Sequence, residues 1–110
     1  MGNWDYSGKK SDGSKPFSGY ESKSITVSGG ESDYSLKENT DLFNVVTSPL
    51  QFLIRNGSED ISIKLNSATN DAIPIAAATD FGLDSIIVTD IFVSVDSSDA
   101  TFDIVTLGWQ

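Results

Sequence analysis

The alternation of apolar and polar residues after residue 24 is the feature that narrows the possible folds most. From Ile25 onward, apolar residues recur at every second position, in short runs broken by Gly, Asn, Asp and Ser. This is the period of β-strands, whose successive side chains point to opposite faces, and not that of an amphipathic helix. Strands are predicted near residues 24–27, 33–36, 42–47, 50–55, 60–65, 72–76, 85–88, 90–95 and 100–107. The predicted fold class is all-β, an antiparallel β-sandwich or jelly roll of about eight short strands.

Two of the predicted turns indicate hairpins with a definite register. Asn56-Gly57 has the composition of a two-residue type I′ turn, and Ser97-Ser98 lies between two further strands. In each hairpin, apolar residues would face each other on one side and polar residues on the other. The predicted apolar pairs are Phe52 with Ile61 and Leu50 with Ile63 in the first hairpin, and Val95 with Ala100, Val93 with Phe102 and Ile91 with Ile104 in the second. Both pairs of strands are expected to be neighbours in a sheet.

Residues 1–24 differ from the rest of the chain in composition. They contain six Ser, four Gly and four Lys but no Ile, Leu or Val, so they cannot build a core of their own. Aromatic residues are nevertheless frequent there, whereas Gly/Ser linkers carry few, and this indicates docking onto another surface. These aromatic residues are Trp4, Tyr6, Phe17 and Tyr20. We predict an extended N-terminal arm over residues 1–24 that docks on a partner, and a β-sandwich body over residues 25–110. A flexible tail is the alternative that composition leaves open.

The charge of the chain limits its partners. It carries 16 acidic residues against 7 Lys and Arg, a net charge of −9. Four lysines and three carboxylates give residues 1–24 a charge of +1, so the body carries −10. Such a body repels the phosphate backbone and anionic membranes. No apolar stretch is long enough to span a bilayer or to form the core of a signal peptide. We expect no nucleic-acid or membrane partner and a protein that is made and used in solution.

The absence of Cys and His from the sequence excludes most catalytic and metal chemistry. It removes disulfides, thiolate nucleophiles, the usual triads and imidazole or cysteine metal sites. Only carboxylate and hydroxyl chemistry remains, and a sandwich of this size leaves little material for a cleft between two carboxylates. The prediction is a protein that is not an enzyme, with no catalytic residues and no cofactor.

Clustered acids are the only candidate metal ligands. They are Glu59 and Asp60, then Asp80, Asp84 and Asp90, then Asp96 and Asp99. Oxygen-rich loops of this kind can hold calcium, but none has the EF-hand spacing, and Asp is a common turn residue. We predict no metal site and keep calcium as the alternative. Asp80-Phe81-Gly82 has the letters of a kinase metal-binding triplet, but the chain is too short for that fold, so a turn is expected there.

Residues 52–107, about half of the chain, resemble small structural proteins of tailed bacteriophages. These are β-sandwich or jelly-roll proteins that decorate or cement capsids, and related virion accessory modules. The likeness lies in FLIRN at residues 52–56, ISIKLNS at 61–67 and VTDIFVS at 88–94. The resemblance implies many copies on a virion surface, often as trimers, with a terminal arm that reaches over neighbouring shell proteins and without catalytic residues.

The resemblance and the arm together predict a capsid decoration or cement protein, made in the host cytoplasm and located on the capsid surface. The expected partners are the major capsid protein or another virion shell protein, and further copies of the chain, with a trimer favoured. The residues expected to bind these partners are Trp4, Tyr6, Phe17, Tyr20 and Trp109. The alternative is a tail- or fibre-associated carbohydrate-binding module, although the body offers few aromatic rings for stacking on sugars.

Overall fold

Two antiparallel sheets packed face to face form the body. The computed structural model describes residues 19–109. The strands in this part of the chain are β1 (Gly19–Val27), β2 (Tyr34–Ser35), β3 (Gln51–Asn56), β4 (Ile61–Leu65), β5 (Ile73–Ile75), β6 (Asp80–Asp84), β7 (Ile91–Val95) and β8 (Ala100–Gly108). A one-turn helix, α1 (Leu36–Asn39), follows β2 directly. The predicted all-β sandwich is confirmed.

The strand order is that of a jelly roll. The first sheet has the order β1-β8-β3-β6 and the second sheet the order β2-β7-β4-β5. The first strand therefore pairs with the last, the second with the seventh, the third with the sixth and the fourth with the fifth. This is the path of one long antiparallel hairpin rolled into two layers, as in eight-stranded jelly rolls.

Alternate residues of each strand form a core between the two sheets. In β4 and β7 every second residue is buried, which is the pattern predicted from the sequence. Such alternation lets one face pack against the other sheet while the second face meets water. The largest fully buried side chains of the core are Leu36, Leu42, Phe52, Ile54, Ile63, Ile91, Phe102 and Ile104.

The hairpin predicted at Asn56-Gly57 is wrong, because β3 and β4 lie in different sheets. The connection crosses between the layers, and the side chain of Asn56 holds it. Its Nδ2 donates hydrogen bonds to the carbonyl oxygens of Glu59 at 2.8 Å, Ile75 at 3.2 Å and Ala76 at 3.1 Å. A Cβ atom on Gly57 would collide with the carbonyl oxygen of Thr101. Asn56 therefore supplies a buried amide donor and Gly57 allows a close backbone approach; the pair does not form a type I′ turn.

The hairpin predicted at Ser97-Ser98 is wrong for the same reason. β7 belongs to the second sheet and β8 to the first, so Val93 lies opposite Ile63 and Phe102 lies opposite Ile25. In both connections, strands predicted as neighbours within one sheet instead lie in opposite layers of the sandwich. Alternation specifies which face of a strand is buried. The buried face has the same residues whether two successive strands pair within one sheet or lie in opposite sheets, so alternation does not distinguish these arrangements.

Several element bounds also differ from the prediction. β1 begins at Gly19, so residues 19–24, which were assigned to the arm, form the first part of a strand. Residues 42–47 form a loop that buries Leu42 and Val46 without pairing as a strand. The strand expected at 85–88 lies earlier, as β6, where a turn was expected. Gly82 is needed there because a Cβ would lie 2.8 Å from the carbonyl oxygen of Phe52 on β3.

Candidate attachment surface

The two sheets share two ends with different chemistry. At one end lie the start of β1, the last residues of β8 and the loops 36–50, 66–72 and 85–90; we call this the apolar end. At the opposite end lie the loops 28–33, 57–60, 76–79 and 96–99; we call this the acidic end. Hydrogen bonds from Gly29 N to Asp99 Oδ1 at 2.8 Å and from Val95 N to Glu31 O at 2.9 Å hold loop 28–33 against loop 96–99 and the end of β7.

The acidic end concentrates carboxylates without any Lys or Arg in its four loops. They are Glu31, Asp33, Glu59, Asp60, Asp96 and Asp99. Some of them fix the loops: Asp60 Oδ1 accepts a hydrogen bond from Ala77 N at 2.8 Å, and Asp33 pairs with Lys64 at 3.1 Å. Within residues 19–109, no group of three or more acidic side chains is placed to hold a metal ion.

The exposed large apolar side chains of residues 19–109 all lie toward the apolar end. They are Tyr20, 69% exposed, Ile87, 59%, Trp109, 47%, Val45, 45%, and Leu53, 44%, and we call them the apolar patch. Exposed apolar residues gathered on one region of a surface mark contact sites far more often than scattered ones do. The apolar patch is therefore the candidate attachment surface.

The strand register places Tyr20 and Trp109 at the same end of the β1–β8 pair. Gly19 lies opposite Gly108, and Tyr20 lies opposite Leu107, so the two patch residues flank the same strand pair at its open end. Gly108 leaves room for the neighbouring loop, because a Cβ there would lie 2.8 Å from Val46 Cγ1. Both residues were predicted from the sequence to bind a partner.

Hydrogen bonds donated by backbone amides hold the two loops that contribute Val45 and Ile87. Next to Val45, the amide of Val46 donates to Glu21 Oε1 at 3.2 Å on β1. On either side of Ile87, the amides of Ile86 and Val88 donate to the carbonyl oxygens of Leu50 at 3.2 Å and Pro49 at 2.8 Å. The loop backbone is thereby fixed against the ends of β1 and β3, so the two apolar side chains are presented from a defined surface.

A buried carboxylate holds the neighbouring helix. Asp90 Oδ2 accepts a hydrogen bond from Ser35 Oγ at 2.6 Å, and Oδ1 accepts from the amides of Lys37 at 3.0 Å and Ile91 at 2.7 Å. Ser35 in turn caps α1 by accepting from the amide of Glu38 at 3.1 Å. Asp90 was a candidate calcium ligand in the sequence, but in the structure its oxygens serve to join α1 to β7.

The outward face of the first sheet, which we call the outer face, is graded from apolar to charged. The register places its side chains in rows across β1, β8, β3 and β6. The row nearest the apolar end is Tyr20, Leu107, Gln51 and Asp84, the next is Ser22, Val105, Leu53 and Gly82, and the third is Ser24, Asp103, Arg55 and Asp80. The second and third rows contribute Leu53, Val105, Arg55 and Asp103 to an open depression of about 280 Å³. An apolar strip therefore runs from the apolar end onto this face.

Of the five contact residues predicted from the sequence, Tyr20 and Trp109 lie within the described residues. Trp4, Tyr6 and Phe17 lie outside the described residues. Three members of the apolar patch, Val45, Leu53 and Ile87, were not predicted. A signal was present for Leu53: it is the middle residue of the apolar run at 52–54, and in an extended chain the middle residue of such a run faces away from its two neighbours.

Comparisons with known proteins show a structural likeness and no family. No protein-family model matches the chain, and no curated protein matches it. Among solved structures, protein NMB1881 from Neisseria meningitidis is similar, with 8% sequence identity and a TM-score of 0.49 over 83% of this chain and 76% of that chain. A likeness at this level carries no argument about function. No helix within residues 19–109 is long and apolar enough to cross a membrane.

Proposed function

We propose that the protein is a virion structural protein, a capsid decoration or cement protein that attaches to the shell through its N-terminal arm and the apolar patch. The observation that carries this proposal is the position of the patch at the end of the sandwich where residues 1–18 join β1. A contact made by the arm and a contact made by the patch then fall on one region of the partner. The resemblance of residues 52–107 to tailed-phage structural proteins supplies the class of partner, the major capsid protein or another shell protein.

The chemistry of the surface supports a role in contact. The apolar patch combines aromatic and branched aliphatic side chains, which supply most of the energy in protein–protein interfaces. The acidic end carries the like charges that keep copies apart elsewhere on the surface. In such a subunit, the apolar end would bind the partner and the acidic end would repel other copies. Its acidic end would point away from the capsid, on a protein made in the host cytoplasm and located on the virion surface.

Multiple copies would strengthen attachment. In a homo-oligomer, with a trimer favoured, each arm would bind its own shell subunit, and linked contacts raise the overall affinity without new kinds of contact. Sedimentation equilibrium of the full chain across a range of concentrations tests this part of the proposal. A trimer supports it, whereas a monomer at every concentration contradicts the oligomeric part and leaves a single-copy cement protein.

The attachment surface is tested on particles that lack the chain. Purified tailed-phage particles without it are incubated with the wild-type chain or with a Tyr20→Ser/Ile87→Ser variant, and bound protein is measured after sedimentation. Both side chains are exposed, so the variant should remain folded. We expect binding to fall at least about tenfold, the equivalent of about 1.4 kcal/mol. Thr26→Ser, near the acidic end of the outer face, is the control and should bind as the wild type does.

Two results would overturn the proposal. One is the absence of wild-type chain from particles of the phage that encodes it, measured by mass spectrometry of gradient-purified virions. The other is undiminished binding of the Tyr20→Ser/Ile87→Ser variant, which would remove the patch from the contact. Circular dichroism melting of each variant shows that any loss of binding does not come from unfolding.

The second candidate function is a tail- or fibre-associated carbohydrate-binding module. The depression on the outer face favours it, because Arg55 and Asp103 offer hydrogen-bonding groups beside the apolar side chains of Leu53 and Val105. Sugar sites combine polar groups with apolar surface in this way. A glycan array with the wild-type chain and the Arg55→Ala variant separates the two functions. A selective signal that Arg55→Ala abolishes favours sugar binding, and no selective signal removes this candidate.

A further inference from the structure

We propose that, in the free subunit, residues 1–18 fold back over the outer face of the first sheet of the same chain. The inference goes beyond the proposed function, because it concerns the subunit before it meets any partner. It rests on three features of the described residues: the apolar strip on the outer face, the point at which the chain enters β1, and the charges that border the strip.

The apolar strip has no described element covering it. The second sheet packs against the inward face, where Phe52, Ile54 and Ile104 are buried. The outward side chains of the same strands include Leu53 and Tyr20, which are 44% and 69% exposed. Leu53 leans toward β6, with its Cδ1 3.2 Å from the position of a Cβ on Gly82. Because Gly82 has no side chain, the β6 side of the strip is free of protruding atoms, and a segment could lie across it there.

The chain enters the molecule beside this strip. Gly19 is the first residue of β1, and Tyr20 belongs to the outermost row of the outer face. Phe17 is only two residues earlier in the sequence. The face is about 14 Å wide from β1 to β6, given three inter-strand spacings. Eighteen residues can extend over about 60 Å, which exceeds every distance on the face.

The composition of residues 1–18 complements the outer face. The segment carries three lysines, two aspartates and three aromatic side chains, and its net charge is +1. The face carries the carboxylates of Asp80, Asp84 and Asp103 against one guanidinium, that of Arg55, which pairs with Asp80 at 3.6 Å. Aromatic rings would lie on the strip around Leu53 and Val105 while lysines reach the carboxylates at its borders. Opposite charge fixes the orientation, and apolar contact supplies most of the affinity.

The same chain is the favoured occupant over a second copy. A segment tethered beside its site has an effective concentration in the millimolar range, far above that of free subunits in solution. Two bodies that each carry −10 repel each other at low ionic strength. A face covered by its own segment keeps subunits from associating through the apolar strip before they reach their partner.

The absence of Cys from the sequence allows a clean spin-label experiment. Ser7→Cys carries a nitroxide label within the segment, and Ser97→Cys carries the same label in an acidic-end loop as the control. The readout is paramagnetic loss of methyl NMR signals of Leu53, Val105 and Leu107 in the full chain. With the label at residue 7, we expect these signals to lose most of their intensity, while the methyl signals of Ala76 and Ala77 at the acidic end keep theirs. The Ser97→Cys label should give the opposite pattern.

A mixture separates the two occupants. Isotope-labelled chain without a spin label is mixed with spin-labelled chain of natural isotope content, so only contacts between copies reduce the signals. No loss in the mixture, together with strong loss within one chain, supports the proposal. Loss in the mixture assigns the face to a second copy and overturns it, and weak, uniform loss within one chain also overturns it.

A variant of the apolar strip tests whether the paramagnetic signal loss depends on contact with Leu53. Leu53→Gln should reduce the loss at Val105 and Leu107 several-fold, and Thr101→Ser at the far end of the same face should leave it unchanged. Unaltered loss in Leu53→Gln would also overturn the proposal. The measurement uses free protein without virions, so its outcome is independent of the particle-binding experiment.

Discussion

Glu21 and Thr106 lie opposite each other on β1 and β8, and each carries a buried side-chain oxygen without a hydrogen-bond partner within residues 19–109. Glu21 is 5% exposed and Thr106 is fully buried. Glu21 Oε1 accepts a hydrogen bond from the amide of Val46, but Oε2 and Thr106 Oγ1 are left without one. The pair therefore joins the loop at the apolar end to the first sheet and also carries a desolvation cost.

Removing the hydroxyl of Thr106 should stabilise the protein. A buried hydroxyl without a partner costs about 1–3 kcal/mol, and Val has nearly the shape of Thr. We expect Thr106→Val to raise the free energy of unfolding by about 1 kcal/mol, measured by urea denaturation. Thr101→Val on the same strand is the control, because Thr101 is exposed and shares a 2.9 Å hydrogen bond with Thr26, so no gain is expected there. A loss of stability in Thr106→Val would show that its hydroxyl has a partner.

Asn56→Asp should weaken the crossing between the two sheets. The change keeps the shape of the side chain but replaces an amide donor by an oxygen that faces the carbonyl oxygens of Glu59, Ile75 and Ala76. Three lost hydrogen bonds and repulsion at a buried site predict a loss of about 2–4 kcal/mol in the free energy of unfolding. Asn44→Asp, at an exposed loop position, should stay within about 0.5 kcal/mol of the wild type. Equal effects of the two changes would contradict the role given to the Asn56 amide.

Asp90→Ala should detach α1 from β7. It removes the acceptors of Ser35 Oγ and of the amides of Lys37 and Ile91, so the free energy of unfolding should fall by about 3 kcal/mol. Asp90→Asn keeps one oxygen for the two amides and should lose less than half as much. Thermal melting followed by circular dichroism compares the two variants with Asp84→Ala, an exposed carboxylate on the outer face. We expect the highest melting temperature for Asp84→Ala, a lower one for Asp90→Asn and the lowest for Asp90→Ala.

The two described salt bridges should differ in their contribution. Lys64 pairs with Asp33 at 3.1 Å, its side chain is 26% exposed, and its Nζ also donates to the carbonyl oxygen of Ala68 at 3.1 Å. Arg55 pairs with Asp80 at 3.6 Å, and its side chain is 72% exposed. We expect Lys64→Ala to lower the free energy of unfolding by about 1 kcal/mol and Arg55→Ala by less than about 0.5 kcal/mol. Urea denaturation in low and high salt checks both values, and a larger effect for Arg55→Ala would contradict the prediction.

The sequence predicted which faces of the strands are buried but not which strands pair. Phe52 and Ile61 were expected to face each other within a sheet, and both are buried, but they belong to opposite layers. Alternation is a property of one strand at a time, whereas pairing depends on contacts far apart in sequence. The Asn56-Gly57 pair suggested a hairpin turn, but tertiary contacts explain both residues. Asn56 donates hydrogen bonds to three carbonyl oxygens of other segments, and Gly57 leaves room for the backbone of Thr101.

The candidate site was predictable to a similar degree. Tyr20 was predicted as a contact residue because it is one of four aromatic residues in a segment without Ile, Leu or Val, and Trp109 because it is an apolar residue directly after Gly108. Val45 and Ile87 were placed in predicted strands and lie in loops, where a two-residue period no longer indicates burial. Their exposure depends on how loops 36–50 and 85–90 pack on the strand ends, and local sequence does not determine that packing.

The pairing of the first strand with the last has a consequence during protein synthesis. β8 lies between β1 and β3 and pairs with both, yet it leaves the ribosome after the seven other strands of residues 19–109. At typical translation rates, β1 waits several seconds for its neighbour, on the order of the time needed to add the intervening residues. Glu21 and Lys23 occupy inward positions of β1, and inward-facing charges discourage strands of other chains from pairing there. These two side chains therefore disfavour pairing of β1 with strands of other chains until β8 is made.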